Sequence, residues 1–284
     1  MILQDRQRVG KIVDDMTLFD DDLMSQVFDG NIPATKLILS IILKRDDIEV
    51  ISVVGQKELN NPIAEGRNIK LDILIKDKAD KYYDIEVQRS NKGAIEKRAR
   101  FYSSMMDSRM LLEGQNFGEL RESYVIFITE KDYLGYGLPS YTVKRTIMEN
   151  GKEFGDGSNI VYVNGSYRGD DPIGHLMHDF SCESADDFYY RELAKDVKHF
   201  KEMGGRDNMC DAVEKYAQDV AKEYAKEVAK EVAKDVAKET AIKITIENFI
   251  EFGQSKEEII SRLQQKFGLA ADEAKKLIEE YTKD

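Results

Sequence analysis

The stretch Ile69-Lys-Leu-Asp72-Ile-Leu-Ile-Lys-Asp-Lys-Ala79-Asp-Lys-Tyr-Tyr-Asp84-Ile-Glu86-Val-Gln88 decides the fold. Two runs of alternating apolar residues, 69–76 and 82–88, flank the polar turn text 77–81, which is the pattern of a β-hairpin. A turn centred on Ala79 sets Asp72 directly opposite Glu86 on one face, with Cβ atoms about 4.5–5.5 Å apart. Like charges so placed destabilise a sheet by a few tenths to about 1 kcal/mol. The neighbours Leu71, Ile73, Ile75, Ile85 and Val87 are apolar, and burial among them raises that cost unless something neutralises the pair. A divalent cation does so: Mg²⁺ is commonly held by one or two carboxylates, water and substrate phosphate. The other reading is a slipped register, or two acids on an open, wet face. Asp84 shares the face of Glu86 and Gln88, which suits a wet face as well.

The surroundings of the hairpin read as α/β. Residues 23–28 and 33–43 carry helical apolar spacing, and 48–54 reads as a strand. Ile95, Ala99, Tyr102, Met106 and Met110 recur at helical intervals after the hairpin. The apolar run 123–129 fits a central buried strand, 159–163 a further strand and 187–201 a helix. Helices, a strand meander, a helix, a strand and more helix imply a mixed sheet flanked by helices.

After about residue 205 the text changes. From Val220 a four-residue unit repeats as Val220-Ala-Lys-Glu, Tyr224-Ala-Lys-Glu, Val228-Ala-Lys-Glu, Val232-Ala-Lys-Asp and Val236-Ala-Lys-Glu. Ala, Lys and Glu are strong helix formers. A period of four drifts about 40° per repeat around a helix of 3.6 residues per turn, so the strip wanders and no heptad coiled coil is expected. Ser255-Lys-Glu-Glu258 is a capping box opening a helix that Gly268 ends, and 272–281 reads as a last short helix. The expected organisation is a catalytic-type domain over 1–205, a long charged helix over 206–253 and a docking or oligomerising helix pair over 254–284.

Lys and Arg total 42 and Asp and Glu 54, a net charge of −12, which excludes a surface that grips nucleic acid all over. It leaves room for a local patch: between Arg89 and Arg100 lie five basic residues (Arg89, Lys92, Lys97, Arg98, Arg100) and one acid, Glu96. A phosphate backbone reaching the acid pair would meet that patch. No run approaches the roughly 18 apolar residues of a membrane helix, and the first 15 residues lack the apolar core of a signal peptide. Two cysteines give neither a disulfide framework nor a zinc knuckle, so the expected setting is the cytoplasm, without a membrane. His175, His178, Asp179 and Cys182 lack a fourth ligand at zinc spacing, and the turn-rich loop 164–172 lacks a phosphate-loop signature.

Asp72, a 13-residue gap and Glu86-Val87-Gln88 resemble the core motif of the PD-(D/E)XK nuclease superfamily. Three stretches resemble its Rpn branch, the recombination-promoting nucleases described as putative transposases: Ile69-Lys-Leu-Asp72-Ile, Ile85-Glu86-Val87-Gln88 and Arg98-Ala99-Arg100-Phe101-Tyr102. Asp21-Asp-Leu-Met24-Ser-Gln-Val27-Phe28 is similar to its leading motif. The resemblance covers roughly residues 15–205. It implies a restriction-endonuclease-like fold and metal-dependent hydrolysis of DNA phosphodiesters with Mg²⁺ or Mn²⁺. Asp72, Glu86 and the backbone carbonyl of Val87 would hold the ion. Gln88 stands where the superfamily has Lys and supplies hydrogen bonds without charge. Arg89 points to the opposite strand face, so Lys92 or Arg98 is the expected substitute. Lys92, Arg98, Arg100 and Tyr102 are the expected contacts to DNA phosphate. Asp21 is the candidate for a further helix-borne acid, or else a helix N-cap. A homo-oligomer joined through the C-terminal helices would present two sites to two strands. The alternative is a nuclease-fold protein without strong catalysis, acting as a DNA-binding or protein-interaction module.

Overall fold

Strands β1 (Val50–Leu59), β2 (Ile69–Asp77), β3 (Tyr82–Gln88), β4 (Ser123–Thr129), β5 (Ser140–Val143) and β6 (Ser158–Asn164) form one sheet in the order β1-β2-β3-β4-β6-β5. The computed structural model describes residues 2–90, 93–202 and 205–281. The first three strands are an antiparallel meander, β3, β4 and β6 run parallel, and β5 returns antiparallel to β6. A parallel step needs a crossover. Helix α4 (Glu96–Asp107) supplies it between β3 and β4. Val125, Ile126, Phe127 and Ile128 of β4 are fully buried, because both faces of a central parallel strand are covered.

Helices α1 (Ile2–Asp15), α2 (Asp21–Phe28), α3 (Ile32–Leu43), α5 (Pro172–Ser181) and α6 (Arg191–Glu202) supply one core with Ile73, Ile75, Tyr83, Ile85, Ile126 and Val161. Helix α4 supplies the other, packing Ala99, Tyr102, Met105 and Met106 with Leu71, Val125, Phe127 and Tyr162. The β1–β2 hairpin twists between them: Leu71 belongs to the second core and Ile73, of the same parity, to the first. Gln56, which the register places opposite Asp72, turns with φ +51°. Its Nε2 donates to Asp21 Oδ1 at 3.1 Å and Ser25 Oγ at 2.7 Å, which ties the twist to α2.

Three elements carry no clear sequence signal. α1 is mostly polar and β5 is a short, partly exposed edge strand. α5 begins in the turn-rich loop, where Asp171 caps it by accepting from the Gly174 N–H at 2.9 Å and Pro172 stands in the first turn. The helix expected over 187–201 starts later, at Arg191, after a 3-10 turn at Ala185–Asp187.

The chain divides into two compact units, residues 1–214 and 215–284, within the long helix α7 (Arg206–Glu251). In the second unit Val228, Val232 and Val236 are 41%, 55% and 54% exposed, so these repeat valines form no packed seam. The apolar residues of this unit collect at the end of α7. There Ile242 and Ile246 join Ile259 and Leu263 of α8 (Lys256–Phe267) and Ala274 and Ile278 of α9 (Ala271–Tyr281). The expected helix pair is thus completed by a third helix. Ser255 accepts from the Glu258 N–H at 3.3 Å and Glu258 Oε2 accepts from the Ser255 N–H at 2.9 Å, the reciprocal cap read from the sequence.

One buried cation holds the first unit's helical layer together. Lys201 is 4% exposed, and its Nζ donates to the carbonyls of Asp14 at 2.5 Å, Met16 at 2.7 Å and Glu183 at 2.5 Å. Lys201→Met leaves those acceptors without a donor and is expected to lower the unfolding free energy by about 3 kcal/mol in urea titrations. Lys198→Ala, which breaks only the exposed pair with Asp186, is expected to cost less than about 1 kcal/mol. Equal effects would contradict the clamp.

Candidate active site

The β2–β3 ladder pairs Lys76 with Tyr82, Ile75 with Tyr83, Leu74 with Asp84 and Ile73 with Ile85. That is the register of a turn centred on Ala79, so no slip occurs. At the next step two side chains replace the backbone bonds. The Asp72 N–H donates to Glu86 Oε1 at 3.0 Å, and the Val87 N–H donates to Asp72 Oδ2 at 3.0 Å. Each acid is therefore anchored on the other's strand. The face is not wet: Asp84 and Glu86 are fully buried, which corrects the open-face reading.

Asp84 was a bystander in the sequence and is central here. Neither of its oxygens meets a hydrogen-bond donor among the described residues. It faces the Glu86 carboxyl, and a hydrogen bond between the two exists only when one is protonated. Burial pushes Asp72 up to about 7, with the Asp21 charge adding to it and the Val87 N–H and Arg98 opposing it. Burial and the Asp72 charge push Glu86 up to about 8 against the pull of Arg98. Burial, then Glu86 and Asp72, raise Asp84 well above the usual carboxylate range. Three acids thus resist ionisation together, as a site built around positive charge does when that charge is incomplete.

Arg98 supplies part of the charge. From α4 its Nη2 pairs with Glu86 Oε2, while Nη1 donates to the Gly93 carbonyl at 2.9 Å and lies 3.4 Å from Gln88 Oε1. The guanidinium sits over the Tyr102 ring, 4.8 Å from its centroid, and 5.9 Å from that of Phe127. Gln88 in turn lies against Gly93: a Cβ at that glycine would fall 1.8 Å from Gln88 Oε1. Gly93 and Asp84 are the two contributors that sequence reasoning missed. The even-numbered face Asp84-Glu86-Gln88 was the available signal for Asp84, and nothing local marked Gly93.

The remaining expected residues fall as follows. Asp21 opens α2 just after Asp20, the N-cap residue, so it is not the cap, and its charge reaches Asp72. Arg89 points to the other face and pairs with Asp20 at 2.6 Å. Arg98 is committed to Glu86, Tyr102 is 7% exposed beneath it, and Arg100 is exposed. Lys92 lies outside the described residues. No group of three or more His, Cys, Asp or Glu side chains among the described residues is arranged to hold a metal alone. Asp72 and Glu86 nevertheless fit an ion that completes its shell with a backbone carbonyl, water and phosphate, since among the described residues a third acid, Asp84, lies beside them with no donor on its oxygens and the cation at the site, Arg98, pairs with Glu86.

A mixed sheet whose second and third strands hold an acid pair beside a crossover helix defines the restriction-endonuclease-like class of α/β nuclease folds. Within that class, residues 29–165 match the family model of the PD-(D/E)XK nuclease family transposases. That span contains Asp72, Asp84, Glu86, Gln88, Gly93 and Arg98, and begins after Asp21. No curated protein and no solved structure gives a match. No helix among the described residues is long and apolar enough to cross a membrane.

The raised carboxyls set a pH dependence. Their folded-state values lie above the unfolded ones, so the stabilising protons are fully bound below about pH 4 and are lost as pH rises toward about 8. In protein treated with EDTA, Asp84→Asn is expected to be more stable than wild type at pH 8 by about 1–3 kcal/mol, because the amide donates to Glu86 and carries no charge. The difference should shrink toward pH 5 in melts across the range. A variant less stable than wild type at pH 8 would contradict this reading.

Proposed function

We propose that the chain is a divalent-metal-dependent DNA endonuclease that hydrolyses phosphodiester bonds, acting in the cytoplasm in recombination or transposase-like DNA processing. The observation that carries the proposal is the reciprocal anchoring of Asp72 and Glu86 with the unpartnered Asp84 carboxyl beside them. Asp72, Glu86 and the Val87 carbonyl would hold Mg²⁺ or Mn²⁺. Such an ion supplies charge stabilisation at a phosphoryl oxygen and lowers the pKa of water. Gln88 orients the attacking water through its amide, held in place by Arg98 and by the absence of a Cβ at Gly93. Arg98 would take the part of the missing lysine, since its guanidinium stands beside the acid pair and can pair with a phosphate oxygen there. Arg100 and Lys97 on the same helix, with Lys92, hold the adjacent backbone, and Asp21 adds negative charge at the rim. A second copy joined through the C-terminal helices would bring a second site to the opposite strand.

One observation favours a second reading, a DNA-binding or protein-interaction module without catalysis. Arg98 already neutralises Glu86, and Gln88 brings no charge.

Nicking of supercoiled plasmid separates the two. With Mg²⁺ or Mn²⁺, Asp72→Ala and Glu86→Ala are expected to lose at least about 100-fold in rate, since outer-shell partners alone are worth about 10–100-fold. Wild type as inert as both variants with either metal would leave the second reading. Gly93→Ala is expected to fold normally yet lose about 10-fold, like Gln88→Ala, because the atoms that must move are the flexible ends of Gln88 and, by a few tenths of an ångström, of Arg98. Full activity in both would remove Gln88 from the mechanism.

A further inference from the structure

Next to the acid site lies a cavity of about 490 Å³ lined by Arg67, Ile95, Lys97, Arg98, Phe101 and Tyr102. Three of these side chains are cationic, two are aromatic and none is acidic, in a chain of net charge −12. Arg98 is common to both places: the guanidinium that lines the cavity also pairs with Glu86. Whatever fills the cavity is therefore adjacent to the group cleaved. The volume is within the range of small-ligand sites. Cations and an aromatic ring lining one cavity are the combination that binds a nucleotide by its phosphate and by the face of its base.

The wall opposite α4 is built. Arg67 lies in the loop between β1 and β2, and Asn61 closes that loop by donating from Nδ2 to the Arg67 carbonyl at 3.3 Å and from its N–H to Asn68 Oδ1 at 2.8 Å. Gly66 permits the closure, since a Cβ there would lie 2.3 Å from Asn61 Cγ. Neither Arg67 nor Lys97 has an ion-pair partner among the described residues, and both are exposed. Their charges are open to a ligand, while Arg98 faces inward.

A base inside a duplex has both faces stacked and cannot lie on a protein ring, whereas an unpaired base can. We propose that this cavity takes one unpaired nucleotide of the strand beside the scissile phosphate, with Phe101 as the stacking ring and Arg67 and Lys97 on its phosphates. The substrate is then DNA with a single-stranded segment, such as an overhang or a flap, rather than continuous duplex. This rests on the nuclease reading for its geometry.

The test is fluorescence anisotropy on the full chain in EDTA, with a single-stranded oligodeoxynucleotide, the same strand carrying abasic sites, a blunt duplex and the matching RNA. The single strand is expected to bind at least about 10-fold tighter than the blunt duplex, and the abasic strand about 10-fold weaker than the intact one. Phe101→Leu should remove most of the abasic effect. Lys97→Gln, at an exposed position, should weaken both strands equally and reduce the salt slope by about 0.7. Equal binding of single strand and duplex, an abasic effect untouched by Phe101→Leu, or tighter binding of RNA would overturn the proposal. If the binding pattern holds while plasmid and overhang substrates stay uncut with Mg²⁺ and Mn²⁺, the nuclease reading fails and the nucleotide site stands.

Discussion

Two hydrogen bonds organise this molecule: Asp72 accepts from the Val87 N–H and Glu86 accepts from the Asp72 N–H. They occur where the β2–β3 ladder stops, so the acids take over the work of backbone carbonyls. A buried carboxylate is costly unless donors or cations surround it. That requirement forces the rest of the arrangement. The register must be the one that brings residues 72 and 86 together. α4 must deliver a cation, and it delivers Arg98. The hairpin must twist at this level, and Gln56 turns through positive φ to let it.

The distribution of charge follows from the same constraint. Five basic residues precede or begin α4, but they do not form one patch. Arg89 is bound to Asp20 on the far face and Arg98 is spent on Glu86, which leaves Lys97 and Arg100 exposed on the helix. Arg67 and Lys70 arrive from the β1–β2 connection and the start of β2, remote in sequence from that cluster. Lys70 offsets the charges of Asp22 and Asp72. The acidity of the whole chain limits non-specific DNA affinity, while the ground beside the acids is locally cationic.

The elements with strong periodicity were legible. β3 and β4 lie where alternation and the apolar run Tyr124-Val-Ile-Phe-Ile place them, because a buried central strand is fixed by hydrophobicity alone. The capping box at Ser255 was legible because its chemistry is confined to four residues. α1 and β5 were not, since their few apolar positions acquire meaning only against partners far along the chain. α5 was hidden by turn residues that in fact build its N-cap. The third member of the C-terminal core, the end of α7, was hidden by its continuity with the charged repeat.

By itself the sequence determined the hairpin, its register and the opposition of Asp72 to Glu86, because strand alternation and turn length are local properties. It also determined that the parallel core would be mixed with helices, through the period of its apolar residues. Only the tertiary structure decided that Asp84 and Glu86 are buried, since that depends on α4 packing over their face of the sheet. Only tertiary structure turned Asp84 from a surface acid into a buried, unpartnered one, and Arg98 from a surface charge into an internal counterion. Burial is a property of what packs against a residue, and electrostatic cost is set by burial; neither is written at the position that bears it.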